Sequence, residues 1–124
     1  MDLGKRILIV DDFATMRRIA RVMLQSLGFK NVEEAEDGVE ALEAIRNGRF
    51  DLVLSDCNMP NMSGLELLTT LRHDPDLSDI KFIVMTSTEQ KESLLEMVKA
   101  GASDYIEKPF QADALKAKLA KFLD

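Results

Sequence analysis

Three aspartates, a threonine and a lysine are the residues of this chain whose types and placement could do chemistry. Asp11 and Asp12 follow directly on the apolar run Ile7-Leu8-Ile9-Val10. Asp56 closes the run Leu52-Val53-Leu54-Ser55, Thr86 follows Phe82-Ile83-Val84-Met85, and Lys108 follows the short segment from Asp104 to Glu107. Three unpaired carboxylates in one small cleft repel one another and raise at least one pKa. A hard divalent cation removes that penalty. Mg²⁺ takes oxygen ligands and keeps several waters, so a few carboxylates and a carbonyl suffice. Asp12 and Asp56 are the expected ligands, with Asp11 close by, directly or through water. A carboxylate can also act as a nucleophile and form an aspartyl phosphate. In phosphoryl transfer, charge spreads over the equatorial oxygens, and positioning and positive charge do most of the catalysis. Mg²⁺ and Lys108 would supply that charge, and the Thr86 hydroxyl could donate to a phosphoryl oxygen. Taken singly, an aspartate after a strand is a cap or turn former, and the threonine and lysine read as structure and surface. The arrival of all five at one edge of a sheet makes the chemical reading outweigh the structural one.

The elements that must carry them there alternate along the chain. Ile7 to Val10 reads as a buried strand. Met16, Ile19, Ala20, Met23, Leu24 and Leu27 then recur as one face of a helix, and Gly28 is placed to end it. A weak, polar strand follows over Val32 to Glu36. Asp37-Gly38-Val39-Glu40 has the form of a capping box, opening a helix with Val39, Leu42 and Ile45 inward that ends near Gly48. Leu52 to Ser55 is a third strand. Ser63-Gly64-Leu65-Glu66 is a second capping box, before a helix through about Arg72. Phe82 to Met85 is the fourth strand, Glu92 to Ala100 a helix, Asp104 to Glu107 the fifth strand, and Leu115, Leu119 and Phe122 mark the last helix.

This is (βα) repeated five times, an α/β pattern that implies a doubly wound parallel sheet. The first, third and fourth strands are nearly all apolar and should be central, covered on both faces. The second and fifth carry charges and should be edges. Right-handed crossovers and two polar edges favour the five-stranded order 2-1-3-4-5, the order of flavodoxin-like sheets. The site then falls at the carboxyl ends of the strands, where the order reverses between strands 1 and 3.

Composition narrows the classes. The chain has 124 residues, enough for one domain with a real core. Its net charge of -6 argues against nucleic-acid binding, which needs a basic footprint, and against an anionic membrane surface. The single cysteine, Cys57, excludes an internal disulfide and suits a reducing compartment. No apolar run is long enough for a signal-peptide core or a membrane span. A cytoplasmic, monomeric chain is expected. His73, beside Asp74-Pro75, reads as a surface residue in a polar turn, and Cys57 as inert, pointing to the face opposite Asp56.

Five segments, taken together, carry a resemblance. They are Val10-Asp11-Asp12-Phe13-Ala14-Thr15-Met16-Arg17-Arg18-Ile19, Glu34-Ala35-Glu36-Asp37-Gly38-Val39, Asp56-Cys57-Asn58-Met59-Pro60-Asn61-Met62-Ser63-Gly64, Lys99-Ala100-Gly101-Ala102-Ser103 and Lys108-Pro109-Phe110. They resemble the response regulator receiver family, and more closely its chemotaxis members. The resemblance spans essentially the whole chain, a single receiver domain over 1–124. It implies Asp56 as phosphoacceptor and a Mg²⁺ site of Asp11, Asp12, Asp56 and the Asn58 backbone carbonyl. It implies Lys108 as the phosphate contact, Thr86 and Tyr105 as switch residues, and a cis Lys108–Pro109 bond. Lys91, Leu94, Tyr105 and Lys118 are the expected partner surface. The implied partners are a CheA-like histidine kinase, a FliM-like flagellar motor switch protein and an auxiliary phosphatase. No enzyme activity is implied beyond Mg²⁺-dependent self-phosphorylation from a phosphodonor and self-dephosphorylation. Two positions depart from the chemotaxis pattern: Cys57 stands where tryptophan is usual, and Thr88 where an acidic residue is common.

Three other functions compete. A phosphatase of the haloacid dehalogenase type needs Asp-x-Asp after the first strand, whereas Asp11 and Asp12 are adjacent. A flavin carrier on this fold needs a Ser/Thr/Gly-rich phosphate loop there, where two carboxylates would repel phosphate. A relay intermediate or phosphate-sink receiver shares every motif, and only the partner retained after phosphorylation separates it from a motor regulator.

Overall fold

The computed structural model describes residues 1–124. Its elements are β1 (Arg6–Val10), α1 (Ala14–Ser26), β2 (Asn31–Ala35), α2 (Gly38–Asn47), β3 (Leu52–Asp56), α3 (Gly64–His73), β4 (Lys81–Thr86), α4 (Lys91–Lys99), β5 (Asp104–Glu107) and α5 (Ala112–Ala120). A single 3₁₀ turn, Thr88–Gln90, leads into α4 and was not expected from the sequence. All strand pairs are parallel and the order is β2-β1-β3-β4-β5.

Side-chain alternation divides the sheet between two cores. Leu8, Val10, Val53, Phe82 and Val84 face α2, α3 and α4, where they meet Ala41, Leu42, Ile45, Leu67, Leu68, Leu71 and Met97. Ile7, Ile9, Leu52, Leu54, Ile83 and Met85 face α1 and α5, where they meet Ala20, Leu24, Leu115 and Leu119. Residues 7–10 of β1 and all of β3 are buried, as is β4 beyond Lys81, while β2 and β5 keep exposed positions, as edges do.

Two residues expected to point inward do not. Ile19 is 43% exposed and Val39 50% exposed. On α1 the buried axis runs through Ala20 and Leu24, and Ile19 lies roughly 100° round the helix from Ala20. On α2 the buried set is Gly38, Ala41, Leu42 and Ile45, which turns Val39 outward. His73 is exposed, but it is the last residue of α3 rather than part of the turn, with Nδ1 2.8 Å from the Thr69 carbonyl oxygen.

The helix ends follow local chemistry. Gly28 and Gly101 adopt φ of 103° and 106° just past α1 and α4, a left-handed conformation that glycine takes without a Cβ penalty. Ser63 and Glu66 form the full reciprocal capping box of α3, both bonds at 3.1 Å. At α2 only half the box forms. The Asp37 carboxylate accepts from the Glu40 amide at 2.9 Å, and its other oxygen accepts from the Asn61 side-chain amide at 2.7 Å.

Candidate functional site

Each candidate residue reaches the same sheet edge because each ends a strand. Asp11 is the residue after β1, Asp56 the last of β3, Thr86 the last of β4 and Lys108 the first after β5. The chain leaves β1 for β2 on one side, while β3 lies on the other. The crevice between β1 and β3 is therefore a topological switch point. There the carboxylate oxygens of Asp11, Asp12 and Asp56 lie within 4.8 Å of one another.

The three carboxylates differ in environment. Asp11 is 1% exposed; one oxygen accepts from the Phe13 amide at 2.9 Å and the other from Lys108 Nζ at 3.2 Å. Asp56 is 7% exposed; its Oδ1 accepts from the Cys57 amide at 2.8 Å and lies 3.3 Å from Lys108 Nζ, which leaves Oδ2 without a protein donor. Asp12 is exposed. Burial holds the Asp11 carboxyl above its ordinary range, against the pull of the Phe13 amide and the Lys108 ammonium. Burial alone would lower Lys108, but the Asp56 and Asp11 carboxylates outweigh it and hold the ammonium above its usual value. Lys108 therefore stays charged at neutral pH.

These residues fit a hard divalent cation. The donors are all oxygens, and one ammonium against three carboxylates leaves two negative charges uncompensated. The Asn58 carbonyl, on the loop between β3 and α3, accepts no backbone hydrogen bond. That loop is pinned at both ends. The Gly64 amide donates to the Cys57 carbonyl at 2.9 Å, and the Gly38 amide to the Met62 carbonyl at 3.2 Å. A Cβ at Gly64 would run into the Asp56 carbonyl oxygen, so only glycine lets α3 start this close under the end of β3.

Thr86 is 2% exposed, and its hydroxyl donates to the Ser87 carbonyl at 3.3 Å, a long bond that is readily exchanged for a better one. Tyr105 is 44% exposed on the edge strand. Lys118 Nζ lies 5.0 Å from the centre of its ring and 3.1 Å from Asp104 Oδ1, and Lys121 reaches Asp104 Oδ2 at 3.0 Å. Burial would raise Asp104, but the Tyr105 amide and the two lysines outweigh it and hold the carboxyl below its usual range. Lys91 is exposed at the start of α4. Leu94 packs partly into the core below α4, and the apolar side chains that α4 leaves open are Leu95 and Val98, at 53% and 50% exposure. Sequence reasoning passed over both; the signal was that Met97 sets the inward direction and each lies off it. Cys57 is 2% exposed on the core side beneath α2, α3 and α4, and burial, with the Asp56 charge adding to it, pushes its thiol up. It remains a protonated thiol. The Lys108–Pro109 bond is cis.

Residues 7–120 match the family described as the response regulator receiver domain. The chain is 45% identical over 124 residues to chemotaxis protein CheY-3 of Vibrio cholerae, covering all of this chain and 95% of that protein. Among solved structures it is similar to the chemotaxis response regulator CheY4 of Vibrio cholerae (TM-score 0.87, 32% identity, 97% of this chain and 99% of that one). It is similar as well to the receiver domain of a sensor histidine kinase from Pseudomonas aeruginosa (TM-score 0.88, 28% identity, 97% and 98% coverage), whose structure has a magnesium ion coordinated in the active-site cleft.

Proposed function

This chain belongs to the response regulator receiver family, and from that premise we propose that it takes a phosphoryl group onto Asp56 and uses it to switch a protein-binding face. The family is one of regulators rather than enzymes in the ordinary sense. The observation that carries the reading is Asp56 itself: a nearly buried carboxylate with Oδ2 undonated, 3.3 Å from a lysine ammonium and inside an acidic cluster.

Asp56 Oδ2 attacks the phosphorus of a phosphohistidine on a histidine kinase, or of a small acyl phosphate. A P–O bond forms as the P–N bond, or the P–O bond of the acyl phosphate, breaks; the leaving imidazole takes a proton from water, while a leaving carboxylate needs none. Reversal to the resting state is hydrolysis: water attacks the phosphorus, the bond to Asp56 breaks, and inorganic phosphate leaves. Asp11, Asp12, Asp56 and the Asn58 carbonyl would hold Mg²⁺, which when bound neutralises charge on the transferring group. Lys108, already between Asp11 and Asp56, turns one of its donors to a phosphoryl oxygen. Thr86 gives up its long bond to Ser87 for a charge-assisted one to the phosphoryl group, which is the stronger bond.

The consequence is felt at Tyr105. Val84 is paired with Tyr105 across β4 and β5, and Thr86 lies two residues beyond Val84 on the same strand. Thr86 and Tyr105 therefore share the sheet face under α4. Movement of Thr86 toward the phosphate vacates space that the Tyr105 ring can enter, a two-state element biased by the phosphate. The face around it, with Lys91, Leu94 and Lys118, then meets a flagellar motor switch protein of the FliM type. A CheA-like kinase supplies the phosphoryl group, an auxiliary phosphatase helps to remove it, and the 1–124 chain works as one receiver. The test is chemical. Incubation with acetyl phosphate and Mg²⁺, borohydride trapping and peptide mass spectrometry should locate the label on Asp56. A label elsewhere, or undiminished labelling of Asp56→Asn, contradicts the assignment.

A further inference from the structure

We propose that Arg17 is a positioning residue for the metal site, holding the peptide plane between Asp11 and Asp12 and so aiming the Asp12 carboxylate; this rests on reading the acidic cluster as a Mg²⁺ site. Asp12 is the exposed member of that cluster. Its neighbours in the cluster are fixed by their own hydrogen bonds, Asp11 through the Phe13 amide and Lys108, and Asp56 through the Cys57 amide. What orients Asp12 is therefore the backbone that carries it.

That backbone is gripped from two directions. The Asp11 amide donates to the Ala35 carbonyl at the end of β2, at 3.2 Å. The Asp11 carbonyl, which is the oxygen of the Asp11–Asp12 peptide, accepts from Arg17 Nη1 at 2.7 Å. The same guanidinium uses Nε to reach Glu34 Oε1 at 3.1 Å, and its side chain is only 14% exposed. Glu34 is steadied in turn by Arg21, whose Nε lies 2.6 Å from Oε2. A planar guanidinium with two of its donors fixed in different directions cannot turn without breaking one of them, which a lysine ammonium on a flexible stem could do. The Asp11–Asp12 peptide plane is thus locked to both α1 and β2.

The competing account is that Arg17, Arg21 and Glu34 merely tether α1 to β2. The two accounts differ in sign as well as in site. A cation touching the backbone of an acidic cluster repels Mg²⁺, so by charge alone its removal tightens binding. Positioning demands the reverse. Mg²⁺ titrations of wild type, Arg17→Gln and Arg21→Gln, followed by NMR, decide between them. Arg17→Gln should weaken Mg²⁺ binding on the order of tenfold, the scale seen when groups supporting a metal ligand are lost, while Arg21→Gln, which touches Glu34 but not the Asp11 carbonyl, should bind as wild type does. The metal-free readout is the backbone order parameter of Asp12, which should fall in Arg17→Gln and not in Arg21→Gln. Unchanged or tighter Mg²⁺ binding in Arg17→Gln, or equal weakening in both variants, overturns the proposal. Should wild type bind no Mg²⁺, the metal reading fails and the order parameter alone judges Arg17: a drop confined to Arg17→Gln supports it, and no drop overturns it. If Arg17→Gln does not fold, Arg17→Lys, which keeps the charge and the apolar stem, carries the same expectations.

Discussion

At the scale of single residues, Lys108 carries two loads that pull in different directions. It is the one ammonium set against Asp11 and Asp56, so it stabilises the fold by compensating two nearly buried carboxylates. It also occupies the charge balance that Mg²⁺ would otherwise fill. Lys108→Met should therefore destabilise the metal-free protein by about 1–2 kcal/mol, below the cost of breaking a fully buried pair because the lysine is 23% exposed. Mg²⁺ should then restore more stability to the variant than it adds to wild type, since a ligand that binds only the folded state stabilises it by mass action. Urea unfolding with and without Mg²⁺ checks both. An equal Mg²⁺ increment in the two proteins would mean that Lys108 and the metal do not share the site. The sequence placed Lys108 and the three aspartates at one edge because each follows a strand. The Arg17 contact with the Asp11 carbonyl was not legible there: a side chain bonding to main chain six residues away leaves no periodic or compositional trace.

At the scale of elements, the loop between β3 and α3 depends on α2. The Asp37 carboxylate caps α2 through the Glu40 amide and also holds Asn61, a loop residue in the left-handed region with φ of 67°. Those two bonds, the Glu40 amide first, keep the Asp37 carboxyl below its ordinary value of 3.8. A depressed folded pKa contributes stability that is present above the unfolded value and is lost as pH falls through the folded one. Asp37→Ala should therefore cost about 1 kcal/mol at neutral pH, as the loss of an N-cap does, and the gap to wild type should narrow as pH drops below 3.8. Chemical denaturation across that range checks it, and a constant gap would show that the charge plays no part. The elements themselves were mostly readable. The apolar β1, β3 and β4 and the polar β2 and β5 mark which strands are central, and right-handed crossovers favour, without dictating, the order that flavodoxin-like sheets share. Periodicity identifies the apolar stripes of α1 and α2 but not their exact axes. Spacing alone thus puts Ile19 and Val39 inside, where the structure leaves them exposed, and gives no sign of the open Leu95 and Val98 on α4. Helical spacing alone tolerates such a rotation; only the neighbouring β-strand positions decide it.

At the scale of the whole molecule, a phosphoryl group on Asp56 would act from the carboxyl end of the sheet on its β5 edge. Asp56 ends β3, Thr86 ends β4, and Tyr105 lies on β5 beside them, with Lys118 over its ring and Asp104 holding Lys118. On these elements the acidic chain carries Lys91 at the start of α4 and Lys118 and Lys121 against Asp104, while α4 leaves Leu95 and Val98 open. A surface of this kind, apolar with a basic rim, suits an amphipathic partner segment carrying acidic groups. The chain contains one tyrosine and no tryptophan, so its intrinsic ultraviolet fluorescence reports Tyr105 without labelling. The most direct measurement is quenching of that fluorescence by acrylamide, with Mg²⁺ present, before and after addition of beryllofluoride as a phosphoryl mimic on Asp56. The account predicts that beryllofluoride makes Tyr105 less accessible to quencher in wild type and has no effect in Asp56→Asn or Thr86→Ala. Unchanged accessibility in wild type, or a change that persists in Thr86→Ala, would contradict it.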